Sequence, residues 1–195
     1  MIKKLSRKKC IELYPSFPLR EYNEESEDYE FEYPTTYANY WLSIESKTNI
    51  QHKKNLAVEV EKLYKELKVE KLIFLCDYKS TWITRNSRDR TDFKQLIKAV
   101  DYLKDNKIGL KFDGGLIVEM KEIKKFIEHF YILTMCDGLF AYYHFLDENQ
   151  SILGYIHYDG ELQLNPMNIK MDKKLKQAFK LTNLKDAERK NTNRI

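Results

Sequence analysis

Seven carboxylates crowd twelve residues of this 195-residue chain, with aromatic rings set between them. From Glu21 to Glu32 the sequence reads E-Y-N-E-E-S-E-D-Y-E-F-E and contains no Lys or Arg. Carboxylates at that density repel one another unless cations come close. Tyr29, Phe31 and Tyr33 alternate with Glu30 and Glu32, so an extended strand here presents an aromatic face and an acidic face. The chemistry this suits is recognition of a basic surface. Glu24, Glu25, Glu27, Asp28, Glu30 and Glu32 would supply the charge that steers encounter, and Tyr29 and Tyr33 the apolar anchors. The plainer alternative is that the strand pairs internally with lysine-rich helices.

A second candidate surface lies in the aromatic stretch Leu139 to Asn165. Asp147 to Gln150 forms a polar connection, and Asp159-Gly160 suits a two-residue hairpin turn, so the stretch is expected to fold as a three-stranded antiparallel meander. With Leu146 opposite Ser151, His144 faces Leu153 and His157 faces Phe140. Tyr142, His144, Tyr155 and His157 then share a face with Leu162 and Leu164, while Tyr143, Phe145, Ile152 and Ile156 form the more aliphatic core face. Four exposed rings could stack nucleobases, at about 1–3 kcal/mol each, or anchor a protein partner; the alternative is that terminal helices cover them. The two histidines sit too far apart for a compact metal pair, and neither a metal nor a cofactor is expected.

Searching for catalysis is mostly elimination. There is no G-x-G-x-x-G, Walker loop, H-E-x-x-H, C-x-x-C or G-x-S-x-G, and six glycines leave little room for a phosphate-binding loop. Arg85, Arg88 and Arg90 form a basic loop, but Asp89 and Asp92 dilute it. A carboxylate site joining Asp77, Asp113 or Glu119 is a distant enzymatic alternative; the leading expectation is a protein that is not an enzyme.

The elements that must position these residues follow from periodicity. Leu56, Val60, Leu63 and Leu67 mark an amphipathic helix capped at Thr48 or Asn49. Phe93, Leu96, Ile97, Val100 and Leu103 mark a second, capped at Thr91, and Ile123, Phe126, Ile127, Phe130 and Leu133 a third. Ser6 caps a short helix to about Tyr14, and Asp172 a last one. Leu72 to Cys76 is a continuous apolar run, expected as a central strand of open pairing direction. Tyr29–Tyr33 and Tyr37–Ser43, with Trp41 as a core anchor, are expected to pair as a first hairpin, and Ser80–Thr84 reads as another strand. The fold class is α+β: a mainly antiparallel sheet, including the C-terminal meander, with amphipathic helices packed on it. Residues 1–182 read as one domain and 183–195 as a charged tail.

The charge is unevenly distributed, which fits either self-neutralisation within the fold or an acidic surface offered to a basic partner. The net charge of +4 conceals an asymmetry, since outside the acidic segment 34 bases face 23 acids. Cys10, Cys76 and Cys136 are odd in number and widely spaced, which implies reduced thiols, with Cys76 and Cys136 buried. The basic N-terminus lacks the apolar core of a signal peptide and no run reaches membrane-spanning length, so a cytoplasmic protein without membrane contact is expected.

The chain resembles the immunity proteins of bacterial polymorphic-toxin and contact-dependent inhibition systems. The resemblance rests on a small Lys/Ile/Asn-rich α+β chain, the acidic aromatic run Glu21-Tyr22 to Glu32-Tyr33, a tyrosine-rich meander and the lack of a catalytic motif. It implies a protein that binds and neutralises a cognate basic toxin, such as a nuclease, by covering its active site or a neighbouring exosite. The alternative partner is single-stranded nucleic acid, held on the Tyr142, His144, Tyr155 and His157 face.

Overall fold

Strand β5 (Lys71–Cys76) supplies both cores of the molecule, because its apolar residues are buried on both faces of the sheet. The computed structural model describes residues 2–187. Leu72, Phe74 and Cys76 point to a large core beneath helices, and Ile73 and Leu75 to a smaller one on the opposite face. The pairing left open by the sequence is antiparallel on both sides, to β6 (Gly115–Glu119) and β7 (Tyr143–Asp147).

Around β5 runs an eight-stranded sheet in the order β1-β6-β5-β7-β8-β9-β4-β10, whose described pairs are all antiparallel. Its other members are β1 (Ile2–Leu5), β4 (Tyr40–Ser43), β8 (Ile152–Ile156), β9 (Leu162–Pro166) and β10 (Lys185–Asp186). A separate two-stranded sheet joins β2 (Leu19–Asn23) to β3 (Asp28–Glu32). The expected hairpin between Tyr29–Tyr33 and Tyr37–Ser43 is therefore not formed: β3 turns back on β2, while β4 pairs with β9 and β10. A four-residue connection with Asn23 at its base lets the acidic strand find a local partner, which costs less chain entropy than a distant one.

Helices α2 (Asn49–Glu66), α4 (Lys94–Asp105), α5 (Met120–Cys136) and α6 (Ile169–Phe179) bury their apolar stripes in the large core. Leu56, Val60 and Leu63 of α2 and Ile123, Phe126, Ile127, Phe130 and Leu133 of α5 are buried as their spacing requires. Thr48 caps α2 by accepting from the Gln51 amide. Thr91 is not a cap: Arg85–Asp89 forms the short helix α3, capped by Thr84, and α4 begins only at Lys94. Asn168, not Asp172, caps α6; Asp172 is buried one turn later, accepting from the Tyr40 hydroxyl and pairing with Lys176. On the other face α1 (Arg7–Leu13), capped by Ser6, lays Cys10 against Ile73, Leu75, Leu146 and Leu153.

Several local expectations are corrected. Ser80–Thr84 is irregular, and its Trp82 is fully buried with Nε1 donating to the Gly114 carbonyl at 2.8 Å. Trp41 is the half-buried tryptophan, edge-on to Tyr155 and His157. Cys10 and Cys76 are buried, whereas Cys136 is half-buried. The chain is packed through Ala187: Leu184 is buried, Glu59 accepts from Asn183, and β10 pairs with β4. Residues 183–187, expected as the start of the charged tail, are thus packed on the body, and the rest of that expected tail, from 188, lies outside the described residues. No helix among the described residues is long and apolar enough to cross a membrane.

The meander forms with two changes of register. Gly138–Tyr142 is a 3-10 turn, so the first strand starts at Tyr143 rather than Leu139. His144 stands opposite Tyr155, and Leu146 opposite Leu153, a two-residue shift that leaves their faces unchanged. The second connection is longer by one residue than Asp159-Gly160 implies. The His157 amide donates to the Glu161 carbonyl, and Tyr158, Asp159 and Gly160 form a three-residue loop with Gly160 at φ 92°. One extra residue reverses the alternation, so Leu162 and Leu164 belong to the helix-covered core and not to the His144 face.

Candidate interaction site

The hairpin of β2 and β3 sorts its side chains by charge. Opposed pairs are Leu19 with Glu32, Arg20 with Phe31, Glu21 with Glu30, Tyr22 with Tyr29, and Asn23 with Asp28. Glu21, Asp28, Glu30 and Glu32 share one face; Arg20, Tyr22, Tyr29 and Phe31 share the other. Glu24, Glu25 and Glu27 occupy the turn, where the Asn23 side-chain oxygen accepts from the Glu25 and Ser26 amides and Glu27 adopts φ 53°. Every residue of β3 is exposed.

None of the seven carboxylates between Glu21 and Glu32 forms an ion pair with a described residue. Glu30 accepts from the Asn23 amide group, and Asp28 from the Tyr29 backbone, and both donors are neutral. Glu21 and Glu30 sit directly opposite each other, an arrangement of like charges that disfavours the pairing. The internal lysine partners allowed by the plainer reading of the sequence are not among the contacts this segment makes.

The aromatic face holds the hairpin to the body. Arg20 is the rivet: its amide donates to the Asp77 carbonyl at 2.8 Å, and its guanidinium lies 4.7 Å from the Phe31 ring centroid and 5.1 Å from that of Tyr142. Arg20 Nε lies 3.5 Å from Asp77 Oδ2, and His144 Nε2 lies 3.9 Å from the same oxygen. Arg7 reaches the Cys76 and Asp77 carbonyls from α1 at 2.8 and 2.9 Å. Tyr33 continues the anchor. Its ring flank is exposed, but its hydroxyl is inserted and accepts from Asn165 Nδ2 at 3.2 Å, and that inserted end pushes its pKa up to about 12. At the tip, Tyr22 and Tyr29 meet edge-on with centroids 5.3 Å apart, each more than half exposed.

Beneath the hairpin lies a buried polar cluster. Burial raises the Asp77 carboxyl to about 6, against the opposing pull of Arg20 and Arg7. Burial, reinforced by Arg20, depresses His144 to about 3, so that imidazole is neutral near pH 7. Asp77 Oδ1 and His144 Nδ1 have no hydrogen-bond partner among the described residues. Glu119 borders the far end of β5, opposite Lys71, with Lys3 and Lys121 as ion partners. It is thus roughly 20 Å from Asp77 at strand spacing.

The four meander residues are dispersed by depth. His144 is buried, with the Tyr33 ring 6.3 Å away and the Tyr155 ring 5.5 Å away. Tyr142 is partly exposed but receives Arg20 and meets Tyr78 edge-on. Tyr155 and His157 are half-buried and continue, with Trp41, as a ring ladder toward the β8–β9 turn. The hairpin base, not a terminal helix, covers one end of this face.

Sequence reading misses Arg20, and it weighs Asp77 only as an enzymatic carboxylate and Tyr22 only as part of the acidic aromatic run. One signal was available: Arg20 immediately precedes the acidic run, so the cation nearest that run in sequence serves as its tether. Comparison with protein-family models, with curated proteins and with solved structures gave no match.

Proposed function

We propose that this chain is a binding protein of the immunity type, which neutralises a cognate basic toxin by docking the β2–β3 hairpin on it. The observation that carries this reading is the set of exposed carboxylates on a tethered hairpin, with Glu21 held opposite Glu30 and no described cation paired to any of the seven. A fold that keeps repelling charges aligned on a strand loses some stability by doing so, and a basic partner turns that loss into affinity and faster encounter. Tyr22 and Tyr29 at the tip are suited to add apolar contacts beside the turn acids Glu24, Glu25 and Glu27, while Asp28, Glu30 and Glu32 present charge from the opposite face of the hairpin. Tyr33 belongs to the anchor. Arg20 sets the hairpin's angle by gripping Asp77, so the acids arrive at the partner pre-positioned.

The nucleic-acid reading is weaker on electrostatic grounds. His144 is buried, and the open part of the ring ladder ends at Asp159 and Glu161 and borders the acidic hairpin, a setting that repels phosphate. A toxin that is itself a nuclease suits the same acids, since its active site must attract phosphate.

The test is a pull-down from producing cells with tagged wild type and with the triple variant Glu27→Lys, Asp28→Lys, Glu30→Lys. The wild type is expected to retain a basic protein in a salt-sensitive manner and to protect cells from it, and the variant to lose both while keeping its melting transition. Equal capture and protection by the two proteins would reject the hairpin as the docking site.

A further inference from the structure

The loop between β8 and β9 gathers a donor set that toxin binding does not use. His157, Asp159 and Glu161 each offer one ligand atom, and these atoms lie within 4.8 Å of one another. The arrangement is a consequence of register. His157 and Glu161 close the hairpin as a direct cross-strand pair, and Asp159 sits at the centre of the three-residue loop between them. His157 Nδ1 is turned toward Asp159 and bonded to its Oδ1, and the imidazole is largely buried beside Trp41, whose ring centroid is 5.9 Å away. The set is therefore a sheltered nitrogen donor with two carboxylates, rather than a patch of acids.

The loop that carries these donors is clamped from the opposite face. His52 on α2 donates through Nε2 to the Gly160 carbonyl at 3.1 Å, and its ring leans on Tyr131 at 5.3 Å. Gly160 takes φ 92°, and a Cβ there would lie 2.1 Å from His52 Nε2, so glycine is required for this close approach. A loop fixed from below keeps its three donors converged, which is what a metal site needs from its scaffold.

We propose that His157, Asp159 and Glu161 form a binding site for a divalent transition-metal ion of the zinc or cobalt type. Bonds of about 2.0–2.2 Å from the ion to imidazole nitrogen and carboxylate oxygen place ligand atoms roughly 3.3 Å apart. Closing from 4.8 Å asks only rotation of the exposed Asp159 and a small shift of Glu161. The ion would replace the His157–Asp159 hydrogen bond and neutralise two carboxylates whose oxygens lie within 4.8 Å of each other. One imidazole with two carboxylates favours zinc and cobalt over magnesium or calcium, which prefer oxygen-only shells of six or more ligands. Three protein ligands leave at least one coordination position for water or an incoming group. The histidine pair weighed from the sequence is not the site, because His144 faces Asp77 beneath the hairpin; His157 acts with its own turn.

Titration calorimetry of the full chain with zinc chloride tests the site, with cobalt absorption as a second readout. One equivalent should bind saturably, and His157→Ala, Asp159→Asn and Glu161→Gln should each weaken binding at least about tenfold. The metal-free melting of the last two variants should match the wild type, since they alter exposed or rim groups with near-isosteric amides. The cobalt spectrum should lack a thiolate charge-transfer band. Failure of the wild type to bind saturably would overturn the proposal and leave the cluster as a hydrogen-bonded turn lock only. So would undiminished binding by Asp159→Asn and Glu161→Gln, or a thiolate band placing the ion at a cysteine. None of these outcomes bears on the acidic hairpin, which is tested separately by partner capture.

Discussion

The two faces of the large sheet solve opposite problems. The helix-covered face is a dry cluster of rings: Phe74 lies 4.6 Å from Phe126, and Trp82 lies 4.5 Å from Tyr143, all of them buried. The opposite face has only a small apolar patch around Cys10, Phe17, Ile73, Leu75, Leu146 and Leu153. Beyond that patch it carries Arg20, Asp77, His144 and the ring ladder to the β8–β9 turn. Stability resides in the first face. The second gives up apolar packing to hold a charged hairpin at one end and a cluster of donors at the other. The largest expected effect follows from this contrast. Phe74→Ala should cost about 3–5 kcal/mol in chemical denaturation, the usual range for truncating a buried ring. Tyr155→Ala, on the half-buried face, should cost clearly less, and equal losses would erase the distinction between the faces.

The dry face was legible in sequence because its signal is local and redundant. Helices α2 and α5 repeat apolar residues at three- and four-residue spacing, and Leu72 to Cys76 is continuous, so an error of one residue changes nothing. The other face depends on register, where one residue decides everything. Asp159-Gly160 alone predicts a two-residue turn, and the added Tyr158 moves Leu162 and Leu164 to the core. The acids were visible as a run, and their alternation with aromatics correctly implied two faces. Their attachment was not visible, because Arg20 and Asp77 are 57 positions apart and meet only through tertiary folding. Strand β1 escaped notice for a related reason: I-K-K-L on a sheet edge buries too little to leave a pattern.

The buried cluster offers a finer way to separate the faces, since its two titrations oppose each other. Asp77 is raised from 3.8 to about 6 in the fold, so the folded state holds its proton more tightly. Its contribution is fully present below about pH 3.8 and is lost as pH rises toward 6. His144 is lowered from 6.5 to about 3, so its contribution is fully present above about pH 6.5 and is lost as pH falls toward 3. Between about pH 3.8 and 6 the two slopes offset each other. Relative to wild type, Asp77→Asn should therefore lose stability on acidification from about pH 6.5 to 4, and His144→Gln should gain it. Urea midpoints at the two ends of that range measure both. Slopes of the same sign in the two variants would mean that Asp77 and His144 do not share a buried site under the hairpin.

The smallest expected effect is the most pointed one. Glu21 and Glu30 oppose each other on the acidic face, and Glu21→Lys replaces that repulsion with an attractive cross-strand pair. The change should raise stability by on the order of half a kcal/mol, read as a small upward shift of the urea midpoint. An ordinary surface strand would gain nothing by keeping the glutamate. If the hairpin serves a basic partner, the same substitution should weaken capture at low salt and make its loss with salt shallower, because one attractive charge that salt would screen becomes repulsive at the interface. Stability and binding would then move in opposite directions through a single side chain, as expected for a surface shaped by its partner. A variant that became more stable and bound equally well would place the partner's contact elsewhere on the chain. One that became less stable would show that the alignment of Glu21 with Glu30 carries no repulsion for a partner to relieve.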